Sequence, residues 1–165
     1  MAFQIPDGLD RALYPLAWLV GRWEGTGHST WPGEPDESYE IQMQFIAPGG
    51  PSLYYLLETF TADDQGRFVV PRRMETGFWR PQPDGTIDVV MCAPQGWAEV
   101  WTGRMDTARL ELVTDAVART AGADLPYTGG HRLYGLVDSH LMWAYDRATT
   151  DLPLQEYEWA RLARV

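Results

Sequence analysis

Along most of the chain, apolar and polar residues alternate one for one. Tyr39, Ile41, Met43 and Phe45 are interleaved with Glu40, Gln42 and Gln44, the period of a strand with one face buried and the other wet. Segments that read as strands recur at hairpin spacing over residues 22–30, 37–47, 53–61, 67–81, 86–93, 97–105, 109–114, 117–121, 131–137, 141–147 and 154–163. Between them lie turn-forming groups: Pro48-Gly49-Gly50-Pro51, Asp63-Asp64-Gln65-Gly66, Pro83-Asp84-Gly85 and the tight pair Asp138-Ser139. In residues 97–105, Trp97, Glu99 and Trp101 share one face, and Ala98, Val100 and Thr102 the other. Helical spacing is found only between Asp7 and Gly21, in Leu9, Leu13, Leu16 and Leu19, with Asp7 as the cap and Pro15 as a break. No second helical pattern supports parallel crossovers. The pattern predicts one all-β domain over residues 1–165, about ten antiparallel strands after a short N-terminal helix, closed as an up-and-down barrel or folded as a sandwich.

Composition sharpens this picture. Eight Trp and eight Tyr in 165 residues suit pleated, half-buried surfaces and the walls of apolar cavities, and so favour a barrel with an interior. A net charge of −10 argues against nucleic acid and against anionic membrane surfaces, both of which are bound by neutralising phosphates. No apolar run approaches membrane-spanning length, and the N-terminus lacks the basic-then-apolar order of a secretory signal, so a cytoplasmic protein is expected. The single cysteine, Cys92, lies in the apolar run Val89-Val90-Met91-Cys92-Ala93 and is expected to be buried and inert.

Chemistry-bearing residues are few. His28, His131 and His140 have no metal-ligand spacing, so no metal site is expected. Ser29, Ser38, Ser52 and Ser139 sit in no nucleophile-elbow sequence. Glu58, Glu75 and Glu99 become candidate acids or bases if their strands turn them inward. The pair Arg72-Arg73 could meet an anionic ligand at a barrel rim, or form a solvated edge.

One motif stands apart. Gly21-Arg22-Trp23-Glu24-Gly25-Thr26-Gly27 follows the helical stretch directly. Its glycines allow close approach of a neighbouring strand, and Trp23 can plug the end of a barrel. With Glu75-Thr76-Gly77-Phe78-Trp79-Arg80-Pro81, Asp84 through Gly96, Arg132-Leu133-Tyr134-Gly135-Leu136 and Pro153-Leu154-Gln155 through Leu162 in the same order, the chain resembles the nitrobindin family. These are haem-binding, lipocalin-like barrels similar in shape to fatty-acid-binding proteins. The resemblance implies a ten-stranded antiparallel barrel with a largely apolar pocket. It also implies a histidine ligand to ferric haem two residues after Pro-Leu-Gln, where this chain has Tyr157. Two positions on, Trp159 replaces a small family residue and is expected on the same inward face, with Glu156 and Glu158 outward. The family's Thr-Ala-Lys segment is here Thr120-Ala121-Gly122, removing a cation that could pair with a propionate.

The resemblance and these departures give the expectations tested below. Trp23, Tyr157, Trp159 and Arg161 are the expected pocket-lining residues, none of them catalytic. The expected function is a nitrobindin-like barrel without haem held in the family manner, with no cofactor and a small, mostly apolar ligand. One alternative is a ferric-haem protein with Tyr157 as axial phenolate, acting on nitric oxide or peroxynitrite as a peroxynitrite isomerase. The other is an interaction module with an exposed aromatic patch and no ligand.

Overall fold

The computed structural model describes residues 5–65 and 67–165, the side chains at 62, 68 and 69 excepted. Met1–Gln4 and Gly66, the last residue of one expected turn, lie outside the described residues. Among the described residues ten strands follow one another: β1 (Gly21–Ser29), β2 (Glu37–Ile46), β3 (Leu53–Ala62), β4 (Phe68–Pro81), β5 (Thr86–Ala93), β6 (Trp97–Asp106), β7 (Arg109–Arg119), β8 (Tyr127–Val137), β9 (His140–Thr149) and β10 (Gln155–Arg164). Each pairs antiparallel with its neighbours, and β10 returns to β1, closing the barrel. Closure leaves no edge strand, although β4 pairs with β5 only over Thr76–Pro81 and β7 with β8 only over Arg109–Val113. The barrel is therefore the outcome, and the sandwich alternative is excluded. No helix among the described residues is long and apolar enough to cross a membrane.

The one helix among the described residues is shorter than the leucine pattern predicts. It is a 3₁₀-helix, Arg11–Leu16, capped by Asp10 rather than Asp7, whose carboxylate accepts the Ala12 N–H at 2.9 Å. Leu13, Leu16 and Leu19 are all buried at a spacing of three, which is the repeat of a 3₁₀-helix. Pro15 lies inside it, where an α-helix would have lost a hydrogen bond. This helix covers one end of the barrel beside Trp23, which is fully buried and donates from Nε1 to the Leu19 carbonyl at 2.8 Å. Arg164 lies over the Trp23 ring at 4.1 Å and donates to the carbonyls of Val20 and Trp18.

Two glycines of the β1 motif work by having no side chain. A Cβ on Gly25 would stand 2.1 Å from the Arg161 carbonyl oxygen, and one on Gly27 would stand 2.3 Å from the Tyr39 ring. The first lets β10 approach; the second lets an interior aromatic lie on the backbone.

Two register shifts change what simple alternation predicts. Opposite Val100 and Trp101, β7 carries the extra residue Asp115. The two short segments expected at 109–114 and 117–121 are thus one bulged strand. In β10 the shift falls between Glu156 and Glu158, so Tyr157 is the bulged residue. A bulge re-aims side chains and reverses the alternation beyond it. Asp138 and Ser139 have φ of 49° and 65°, the paired positive angles of a tight two-residue hairpin.

The interior is stacked from the covered end to the open one. Phe45, Tyr55, Trp79 and Tyr134 form an aromatic cluster, with ring centroids 5.1–6.5 Å apart. Beyond it comes a charged layer, and then the mouth ringed by the loops after β1, β3, β5, β7 and β9. Cys92 corrects its expectation: it is exposed, on the wet phase of β5, because Val89 and Met91 take the buried phase.

Candidate functional site at the barrel mouth

Glu75 of β4 is the centre of the charged layer. Arg132 of β8 grips both of its oxygens, Arg73 donates to it at 2.7 Å and the Tyr55 hydroxyl donates at 2.9 Å. Burial raises the pKa of Glu75, but the two guanidinium groups outweigh it and hold the group at about 2. Arg132 lies over the rings of Tyr145 and Trp101, at 4.2 and 4.7 Å. Arg73 continues the chain of charges to Glu158, donating at 2.5 Å. Arg72 spans the rim, paired with Glu37 at 2.7 Å and with Glu158 at 3.6 Å. The Arg72-Arg73 pair is thus inside and at the rim, engaged with carboxylates.

Above this layer opens a cavity of about 290 Å³, lined among others by Arg72, Arg73, Gln95, Trp97, Tyr145, Arg147 and Tyr157. That volume sits at the small end of ligand sites. Arg147 enters from β9 and packs over the rings of Tyr157 and Trp31, at 3.6 and 4.0 Å. The edge of Tyr157 also meets Tyr145 and Trp31. Burial raises the pKa of the Tyr157 hydroxyl and the Glu158 carboxylate adds to it, against the three nearby guanidinium groups.

Of the four expected pocket residues, only Tyr157 lines this cavity. The bulge turns Tyr157 and Glu158 inward together and sends Trp159 out, where it is 43% exposed and stacked on His28 at 4.2 Å. Trp159 and the outward placing of Glu158 are therefore corrections. Arg161 follows Trp159 onto the outer face and contacts His140. Trp23 is buried as a plug, but at the covered end, away from the mouth. The histidines are also outside: His28 contacts Ser38, His131 lies between Glu111 and Asp146, and His140 sits by its turn carbonyl. Among the described residues no group of three acidic, His or Cys side chains could hold a metal ion.

Among the candidate carboxylates, Glu58 stays on the half-exposed phase of β3, whereas Glu75 and Glu99 turn inward. Burial raises the pKa of Glu99, and Glu75 adds to it; Arg132, Tyr127 and Trp101 oppose without overcoming it. A buried carboxyl with a raised pKa costs stability as pH climbs from its ordinary value near 4.5 through its folded value. Glu99→Gln is therefore expected to raise the melting temperature at pH 7 and above, with the gain vanishing near pH 4. A gain independent of pH in thermal unfolding scans would refute this.

Arg147 is the residue the sequence reading passed over. The signal was present: it is in phase with Leu141, Trp143 and Tyr145, so strand alternation already placed it on the buried face. A larger hollow, about 540 Å³, lies on the outer wall along β8–β10, lined by Leu133, Val137, Met142, Ala144 and Trp159. It is mostly apolar and holds none of the buried charges, which gather at the mouth instead.

Comparison with known proteins agrees with this architecture. The model of the THAP4-like, heme-binding beta-barrel domain matches residues 12–164. A Cutibacterium acnes protein named ferric nitrobindin-like protein is 57% identical over 99% of both chains. A Nocardioides protein named peroxynitrite isomerase is 42% identical over 99% of both. The crystal structure of Rv2717c from M. tuberculosis superposes with a TM-score of 0.84 at 27% identity, covering 95% of this chain and 99% of that one. The chain belongs to the THAP4-like haem-binding β-barrel family, the nitrobindin family.

Proposed function

We propose that this nitrobindin-type barrel does not hold haem through Tyr157 and that its mouth takes a small molecule instead. The observation that carries this reading is the placement of Arg147. Its guanidinium covers the face of Tyr157 at 3.6 Å, while Tyr145 and Trp31 pack on the same ring. An axial phenolate needs an open approach. The Tyr157 ring is packed under Arg147 and against Trp31 and Tyr145. The cavity wall offers Arg72, Arg73 and Arg147, of which the first two are already engaged with carboxylates. No histidine among the described residues replaces the ligand, since all three lie on the outer wall. These residues do not fit haem. They fit a compact ligand that packs on Trp97 and Tyr145 within about 290 Å³.

Haemin titration followed by absorption spectroscopy, with Tyr157→Phe and Tyr157→His alongside, tests the reading. The native protein and Tyr157→Phe are expected to give no saturable Soret shift. A stoichiometric Soret band in the native protein that Tyr157→Phe abolishes would overturn the reading and make Tyr157 an axial ligand. A peroxynitrite assay would then follow. A Soret band gained only by Tyr157→His would support exclusion of haem by ligand chemistry but overturn the compact-ligand part of the reading, because the mouth would then admit a porphyrin.

A further inference from the structure

We infer that Arg147 is an anion-recognition subsite and that the ligand of the mouth is a small carboxylate on a flat apolar body. The inference rests on the reading that the mouth takes a small molecule rather than haem. Four guanidinium groups stand in or around the cavity, and three have carboxylates: Arg132 has Glu75, Arg73 has Glu75 and Glu158, and Arg72 has Glu37 and Glu158. Arg147 has none. Only 6% of it is exposed, and its side chain makes neither an ion pair nor a hydrogen bond with any described residue. Its Nε is a buried donor without an acceptor.

A buried cation left without a counter-ion is costly. The rings of Trp31 and Tyr157 offset part of that cost through their faces. Such stacking uses the flat side of the guanidinium and leaves the in-plane N–H fork unused. The partner that completes a planar fork is a planar, bidentate acceptor, and a carboxylate is the common one. The remaining walls set the rest of the ligand. Trp97, Leu125 and Tyr145 are apolar or aromatic surfaces, and about 290 Å³ holds a body of single-ring size. Gln95 reaches the same cavity with a buried side-chain oxygen that has no donor, so a hydroxyl or N–H on the ligand would find an acceptor there. The chain as a whole is strongly acidic, at −10, so an unpaired cation buried at its mouth is a local feature and not a reflection of the general charge.

The test uses benzoate as the probe, with benzyl alcohol as its uncharged counterpart and nitrate as a planar oxyanion lacking the apolar body. Binding is followed by amide chemical-shift changes on the isotope-labelled full chain. Benzoate is expected to saturate with shifts gathered at the mouth, at least about tenfold tighter than benzyl alcohol or nitrate. Arg147→Met is expected to remove that preference while leaving benzyl alcohol unchanged. Arg147→Lys, which keeps the charge but not the fork, should fall between. Added salt should weaken benzoate in the native protein and leave the Arg147→Met variant indifferent.

Equal binding of benzoate and benzyl alcohol, or a preference that survives Arg147→Met, overturns the subsite but leaves the small-molecule reading standing. Nitrate binding as tightly as benzoate overturns the apolar-body part of the inference. Failure of all three probes to bind overturns the subsite, and stoichiometric haemin binding separately overturns the reading beneath it. Should Arg147→Met fail to fold, Arg147→Lys and the neutral probe still decide between the outcomes.

Discussion

Arg132→Met is expected to lower the unfolding free energy at pH 7 by about 3–5 kcal/mol, the cost of stranding one member of a buried ion pair. For a chain of this size that is a fall in melting temperature on the order of 10 °C. The Glu75 carboxylate is gripped at both oxygens by Arg132, and neither group reaches solvent. After the substitution only Arg73 and the Tyr55 hydroxyl remain to it. The pH dependence has a definite sign. Glu75 is held at about 2 in the folded protein against 4.5 ordinarily, so its stabilisation is complete above about 4.5 and is lost as pH falls towards 2. The native protein should therefore weaken across that window, and the variant should show a shallower acid slope. Replacing both partners, as Glu75→Leu with Arg132→Met, should cost less than the two single changes added together, because no charge is then left stranded. Urea unfolding of the four proteins measures this. A single Arg132→Met variant within 1 kcal/mol of native would show that the pair does not behave as a buried one.

Trp23→Ala should cost a comparable amount, about 3–5 kcal/mol, as for other large-to-small changes of fully buried aromatics. The indole is packed with Leu13, Leu16 and Leu19 in one core, under the guanidinium of Arg164. Its N–H is also the donor to the Leu19 carbonyl. Trp23→Phe keeps much of the packing and loses that hydrogen bond, so a smaller cost of about 1–2 kcal/mol is expected. Trp159→Ala is the informative control. By strict alternation it would be another core deletion; on the outer wall, stacked on His28 beside the outer hollow, it should cost no more than about 1 kcal/mol. Chemical unfolding of the three variants separates the cases. Equal losses for Trp23→Ala and Trp159→Ala would contradict the bulge at Tyr157.

The contrast between these two tryptophans shows where sequence reading works. Trp23 lies in a glycine-bounded strand next to the leucine-rich segment that covers it, and its burial followed from local neighbours. Trp159 lies two residues beyond Tyr157, and its expected direction assumed an unbroken period of two. One extra residue in β10 reversed that direction for Trp159 and Arg161 and buried Glu158. A bulge of this kind depends on the facing strand, whose register no single segment encodes. The β7 bulge at Asp115 misled the reading in a milder way, splitting one strand into two.

The candidate site was legible in its parts but not in its assembly. Arg73, Glu75, Arg132, Arg147 and Tyr157 come from four strands, β4, β8, β9 and β10. Alternation puts each of the first four on an inward phase. Pairing Arg132 with Glu75, 57 positions apart, and leaving Arg147 without a carboxylate requires knowing which strands face each other across the interior.

The sequence by itself determined the all-β class, the number of strands to within one, most turns, the buried phase of most strands and the family, because period-two patterning, turn residues and short motifs are local properties. Tertiary structure alone decided that the barrel closes through β1 and β10, that Tyr157 is a bulge, that Trp159 leaves the interior, and which guanidinium groups find carboxylates. These depend on register and on distances across the barrel, and the physical reason is that a charge or an aromatic ring acquires its role only from what the closed sheet brings opposite it.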